Sequence, residues 1–269
     1  MLGAIIGDIV GSPYEFSGVR PELKTFPLFG ETSVFTDDTV MTLAVARALM
    51  DGYGSAEKTE QAVISSMREL GGMFPDVGYG SRFSAWLAAE EPAPYQSCGN
   101  GSAMRVSPVG WAFDDMDDVL KYAEITARVT HNHKEGIKWA QATAAAILLA
   151  RKGASKESIK AWIEEKFDCA FVLTCDEIRP NYVFDETCQG TVPEALTAFF
   201  EGDSFENVVR TAASLGGDCD TLTAIAASVA EAYYPVPEAI RREALRRLDA
   251  PLLAILYRFE EFLREKNAI

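Results

Sequence analysis

The sequence predicts an all-α fold, a compact orthogonal bundle of many short helices around one central apolar helix. Windows rich in Ala and Leu, broken by Gly, Pro or Asp, recur along the whole chain, whereas strand-like stretches are few. One window, 222–230, is apolar or small on every side, with no charged residue before Glu231. A helix without a wet face belongs in the middle of a bundle.

In chain order, the helical windows are 39–50, 55–70, 81–90, 116–129, 134–151, 155–167, 193–201, 204–214, 221–233, 237–248 and 251–265. The stretch from Ala140 to Ala150 is nearly as apolar as the central window. Residues 168–192 read as irregular connection with at most a short strand at 169–173. The N-terminal segment is ambiguous. If helical, it sets Gly3, Gly7 and Gly11 on one face, where backbones can approach closely, and Asp8, Ser12 and Glu15 on another. Pro13 argues against a continuous helix, and the acidic face could simply be solvated. No repeat, low-complexity tract or linker-like stretch interrupts the chain, so residues 1–269 read as a single domain.

The composition suits a globular protein with a sizeable core: 48% of the 269 residues are apolar and 24% charged. A formal net charge of -15 disfavours an extended nucleic-acid interface or a membrane surface, because phosphate-rich partners are repelled. The five cysteines are odd in number and contain no Cys-x-x-Cys pair, which points to free thiols in a reducing compartment. The apolar start of the chain lacks a basic region and meets Asp8 early, unlike a signal sequence, and no window is long enough to span a membrane. A soluble cytoplasmic protein is expected.

Two acidic turns carry the chemistry. Thr36-Asp37-Asp38 and Asp218-Cys219-Asp220-Thr221 each open a largely apolar helix. A single such turn is readily explained by capping and by the helix dipole. Two copies, one of them at the head of the most apolar helix, change the balance. Buried carboxylate pairs repel each other and lose hydration, so they take up protons or bind a cation. Oxygen ligands from Asp and Thr, without Cys or paired His, favour Mg²⁺, Mn²⁺ or Ca²⁺ over zinc.

Other motifs are less decided. Gly99-Asn100-Gly101-Ser102 is either a turn capped by Ser102 or a phosphate-attracting loop that opens a helix. His131 and His133, the only histidines, have i, i+2 spacing, unlike a His-Glu-x-x-His zinc helix. Pro75-Asp76 suits a solvated turn.

Gly7-Asp8-x-x-Gly11-x-x-x-Glu15, Phe35-Thr36-Asp37-Asp38-Thr39, Gly99 to Arg105, Thr130-His131 and Gly216-Gly217-Asp218-x-Asp220-Thr221 follow one another as in the ADP-ribosylglycohydrolases. From residue 3 to about 233 the chain resembles that family. The resemblance implies an all-helical hydrolase with two Mg²⁺ or Mn²⁺ ions, cleaving the bond between ADP-ribose and an acceptor. By position, Thr36, Asp37 and Asp38 resemble the ligands of one metal, Asp218 and Thr221 those of the other, and Asp220 is shared. Glu15 matches a mobile acidic residue, and Asp76 resembles an aspartate assigned to the reacting ribose. These two are the catalytic candidates. Asn100, Gly101, Ser102 and His131 match ligand-binding positions, whereas Arg105 stands equally as a structural ion-pair partner.

The expected partner is an ADP-ribosylated protein or a small ADP-ribose conjugate. Arginine is the first choice of acceptor, by association with relatives. Serine- or nucleotide-linked ADP-ribose is the alternative, as is a non-catalytic, crystallin-like binding relative. A helical nucleotide pyrophosphohydrolase would need a Glu-Glu-x-x-Glu-like helix or additional histidines, which the sequence lacks. Oligomeric state is not encoded in any feature of the sequence.

Overall fold

The structure, a computed structural model, describes residues 1–23 and 25–267. Among these residues fifteen α-helices follow one another: α1 (Leu2–Gly11), α2 (Asp37–Gly52), α3 (Ala56–Met73), α4 (Ser81–Ala88), α5 (Gly101–Met104), α6 (Ser107–Ala112), α7 (Met116–Arg128), α8 (Lys134–Arg151), α9 (Lys156–Phe167), α10 (Cys175–Ile178), α11 (Cys188–Glu201), α12 (Phe205–Ala213), α13 (Cys219–Tyr233), α14 (Glu238–Leu245) and α15 (Ala250–Asn267). Among the described residues there is no sheet; the one β-type contact is an isolated bridge between Gly99 and Thr187. No helix among them is long and apolar enough to cross a membrane. The all-α expectation is met.

α13 is the central helix. Every residue from Cys219 to Ala230 is buried, and α1, α8, α11 and α12 pack around it. The absence of a charged residue over 222–230 therefore has the meaning the sequence suggests: every face of this helix meets protein.

The N-terminal segment is resolved in favour of a helix. α1 is wholly buried, and Ser12–Tyr14 form a 3-10 turn with Pro13 near its start, so the proline ends the α-helix without reversing the chain. Gly3, Gly7 and Gly11 face α13. An added Cβ would lie 2.2 Å from Ala227 O at Gly3, 2.3 Å from Thr223 O at Gly7 and 2.5 Å from Asp220 Cα at Gly11. The two helices are in backbone contact, which only glycine at these positions permits.

Several boundaries differ from expectation, each for a local reason. α2 begins at Asp37 because Thr36 is its N-cap, accepting from Asp38 N, so the first acidic turn lies within the helix. α11 begins at Cys188 rather than 193, since Thr187 caps it by accepting from Gly190 N, and Pro193 lies inside the helix. Residues 169–173 form no strand; α10 follows, held by a capping box between Thr174 and Glu177. α5 and α6, a turn or so each, are too short to show a period in sequence.

Candidate active site

The glycine contact between α1 and α13 brings Asp8 beside the head of α2. Asp8 is fully buried, not solvated. Its Oδ2 accepts from the backbone N–H of Thr36 (2.9 Å) and of Thr39 (3.1 Å) and from the Thr39 hydroxyl, while Oδ1 accepts from Thr36 Oγ1 at 2.7 Å. One carboxylate thereby satisfies two free N–H groups at a helix N-terminus and two hydroxyls.

The two acidic turns meet. Thr221 Oγ1 donates to Asp38 Oδ2 at 3.0 Å, and Thr36 Oγ1 lies 3.3 Å from Asp220 Oδ2. Gly216 and Gly217, both at φ just above +70°, turn the chain sharply into Asp218. Asn100 Nδ2 donates to Asp218 Oδ2 at 2.6 Å and to Thr191 Oγ1 at 3.0 Å, tying the Gly99–Gly101 loop to the second turn. Glu15, past the 3-10 turn, completes the group: carboxylate oxygens of Glu15, Asp218 and Asp220 lie within 4.8 Å of one another.

Burial dominates the electrostatics, and repulsion between neighbouring carboxylates comes next at Glu15, Asp37, Asp38 and Asp220. Burial pushes Asp8 up to about 6 against its hydrogen bonds. Burial and the charge of Asp218 push Glu15 to about 7, and burial with Asp8 and Glu15 pushes Asp37 to about 8. Asp38, Asp218 and Asp220 are raised as well, burial first in each case. None of the six is in an ion pair with Lys or Arg among the described residues. Asp38 Oδ1 is buried without any hydrogen-bond partner among the described residues. An all-oxygen donor set with an orphaned carboxylate oxygen fits hard divalent cations, which would supply the missing positive charge.

A cavity of about 430 Å³ opens onto this group. Its lining includes Glu15, Asp37, Asp38, Asp218, Asp220 and Thr221, along with Asn100, Gly101 and His131. Thr36 lies behind them, half-buried between Asp8 and Asp220. Two expected residues stand apart. Ser102 is fully buried with its hydroxyl donating to Gly136 O at 2.7 Å, so it braces the loop instead of facing the cavity. Asp76 is exposed and outside the lining; its loop touches the site through Val77 O, which accepts from Asp37 N at 2.9 Å. Arg105 forms no ion pair among the described residues: this buried guanidinium donates only to Thr126 O and Thr130 Oγ1.

Other contributors escaped the sequence reading. Asp8 was visible as an acidic residue on a helical face, but its partners lie across the fold. Phe16 and Phe184 stack at the cavity wall with ring centroids 5.8 Å apart, and the Arg82 guanidinium sits 4.7 Å over the Tyr95 ring. Phe16 directly follows Glu15; nothing local marks the other three.

This scaffold and cleft define a class: an all-helical protein whose site is a converging set of carboxylates at the heads of two helices. The chain belongs to the ADP-ribosylglycohydrolase family, whose model matches residues 1–265. It is 28% identical to the ADP-ribosylhydrolase ARH3 of Mus musculus, over 88% of this chain and 84% of that protein. The ADP-ribosylarginine hydrolase Tri1 of Pseudomonas putida is 27% identical over 88% of this chain and 70% of its own length. The ADP-ribosyl-[dinitrogen reductase] glycohydrolase of Rhodospirillum rubrum is 27% identical over 94% of each. A solved structure described as an ADP-ribosylglycohydrolase-related protein complex superposes with a TM-score of 0.68, at 27% identity over 96% of each chain. Membership supports hydrolysis of ADP-ribose conjugates as the reaction.

Proposed function

We propose that this protein is a metal-dependent glycohydrolase that releases ADP-ribose from an acceptor, with arginine on a modified protein as the first-choice acceptor. The observation that carries the reading is the buried carboxylate group without cationic partners among the described residues, Asp38 Oδ1 orphaned among them, opening onto a cavity. In this reading Thr36, Asp37 and Asp38 hold one Mg²⁺ or Mn²⁺, Asp218 and Thr221 a second, and Asp220 both. When bound, such ions fix a ribose diol and lower the pKa of a held water.

The chain's own residues then have distinct tasks. Asn100 holds Asp218 in place while Gly101 and His131 face the ligand. Cleavage at the ribose C1 develops oxocarbenium character, which nearby carboxylates stabilise. Glu15, raised to about 7, can hold or release a proton near neutrality and is the proton-transfer group of this reading. Asp76, outside the cavity wall, is given no step. The arginine assignment draws support from the name of the Pseudomonas relative.

The test is release of ADP-ribose from arginine-, serine- and nucleotide-linked conjugates, with and without chelator. Arginine-linked substrate should be cleaved, with a loss of at least about a hundredfold in the Asp38→Asn, Asp218→Asn double variant. Release at the wild-type rate by the folded double variant would remove the metal assignment. Inertness toward all three conjugates, with ADP-ribose still bound, would make the protein a binding relative.

A further inference from the structure

Behind the Gly99–Gly101 loop lies a chain of hydrogen bonds that the proposed reaction does not use. Arg105 is 1% exposed and has no carboxylate partner among the described residues, and its Nε is unsatisfied. Its Nη2 donates to Thr130 Oγ1 at 2.8 Å. Thr130 Oγ1 in turn lies 2.6 Å from Nδ1 of His131. A guanidinium only donates, so Thr130 must accept on that side. Its single proton then has two possible acceptors: His131 Nδ1 at 2.6 Å and Ala127 O at 3.4 Å. The shorter contact is the better hydrogen bond.

We infer that Arg105, acting through Thr130, fixes His131 as the neutral tautomer that carries its proton on Nε2. The opposite tautomer would make Thr130 accept twice and leave its proton to the long contact with Ala127. An imidazolium is opposed by burial first and then by the charges of Arg105 and Arg82, which hold His131 well below its ordinary value. Facing the ring are Arg105, Arg82 and Tyr95. Nε2 has no hydrogen-bond partner among the described residues and reaches the Gly99–Gly101 loop, where an added Cβ would lie 3.4 Å from it at Gly99 and 3.2 Å at Gly101. His131 lines the cavity, so the arrangement presents one fixed N–H donor to an acceptor oxygen, such as a phosphate or ribose oxygen. Arg105 and Thr130 are positioning residues. The ligand assignment rests on the proposed ADP-ribose reading; the tautomer does not.

The tautomer can be read in the ligand-free protein by long-range nitrogen–proton NMR of the imidazoles. Only two histidines are present, and His133→Gln assigns them. His131 should show its proton on Nε2 and a bare Nδ1. Thr130→Val should change the tautomer ratio and weaken ADP-ribose binding about tenfold, whereas Thr130→Ser should preserve both. A proton on Nδ1 in the wild-type protein overturns the inference, as does an unchanged tautomer in Thr130→Val. If Thr130→Val does not fold, Thr130→Ala takes its place in the same two measurements, with the same outcomes expected and excluded. An Nε2–H tautomer in a protein inert toward every conjugate would sink the proposed function and leave this inference standing.

Discussion

Asp8 shows how one residue can build a site without facing the cavity. Its four accepted hydrogen bonds hold Thr36 and Thr39, and so set where Asp37 and Asp38 point. Asp8→Asn keeps one acceptor oxygen but turns an amide NH2 toward groups that are themselves donors. The variant should lose about 2–3 kcal/mol of stability in urea, in line with breaking charged hydrogen bonds in a buried site. It should also lose most of the Mg²⁺-induced rise in melting temperature. A variant as stable as wild type, with a full Mg²⁺ response, would deny Asp8 this positioning role. The sequence made the carboxylates of the two turns legible because each stands in a recognisable run at a helix start. Asp8 is legible in the sequence as one position on a possible face and as part of the Gly7-Asp8 motif, but not as a brace, since the partners that give it that role are 28 and 31 residues away.

Among the elements, the α1–α13 contact matters most, because it sets the distance between Asp8, Glu15 and the Asp218–Asp220 turn. Gly7 is a clear test, because the three atoms nearest an added Cβ are all backbone of α13. A methyl group there would come within 2.3 Å of Thr223 O and 2.5 Å of Thr223 C, both backbone atoms that cannot rotate away. Gly7→Ala should therefore push the helices apart and cost about 2–3 kcal/mol, more than the gain in helix propensity of about 1 kcal/mol. Gly72, with nothing within 4 Å of an added Cβ, is the control: Gly72→Ala should be neutral or slightly stabilising. Equal melting temperatures for the two variants would show that α1 is not pinned as described. The glycine spacing was readable as a close-packing face, but not its partner. The boundaries of α11 and the short α5 and α6 were not readable, because caps and single turns leave no hydrophobic period.

At the scale of the whole molecule, the raised carboxylates make stability depend on pH and on cations together. In the folded protein Asp8, Glu15 and Asp37 titrate at about 6, 7 and 8, against ordinary values of 3.8 to 4.5. Between about pH 4 and 8 the folded state holds protons that the unfolded chain has released, so stability falls as pH rises through that window. Glu194, raised to about 7 by burial, acts in the same direction. His131 below its ordinary 6.5 and the buried N-terminal amine of Met1 below its ordinary 8.0, both lowered first by burial, act oppositely but are fewer than the raised carboxylates. Carboxylates lowered by partners, such as Asp114 beside Lys266, titrate below the window. In chelator the protein should melt at a higher temperature at pH 5.5 than at pH 8. Mg²⁺ should raise the melting temperature more at pH 8, where fewer protons compete for the oxygens. Melting in chelator that does not change between these pH values would contradict the burial of these groups.

The helical class, the central place of 222–230, the acidic turns and the order of motifs that marks the family are all legible before the chain is folded. All of these are local patterns of polarity, or short runs whose meaning does not depend on distant partners. The folded chain alone reveals that Asp8 is a buried brace, that Ser102 faces away from the cavity, that Arg105 has no carboxylate partner among the described residues and that the two turns bond to each other. Those outcomes depend on which side chains meet across the bundle, and burial changes the cost of a charge by more than any local pattern records.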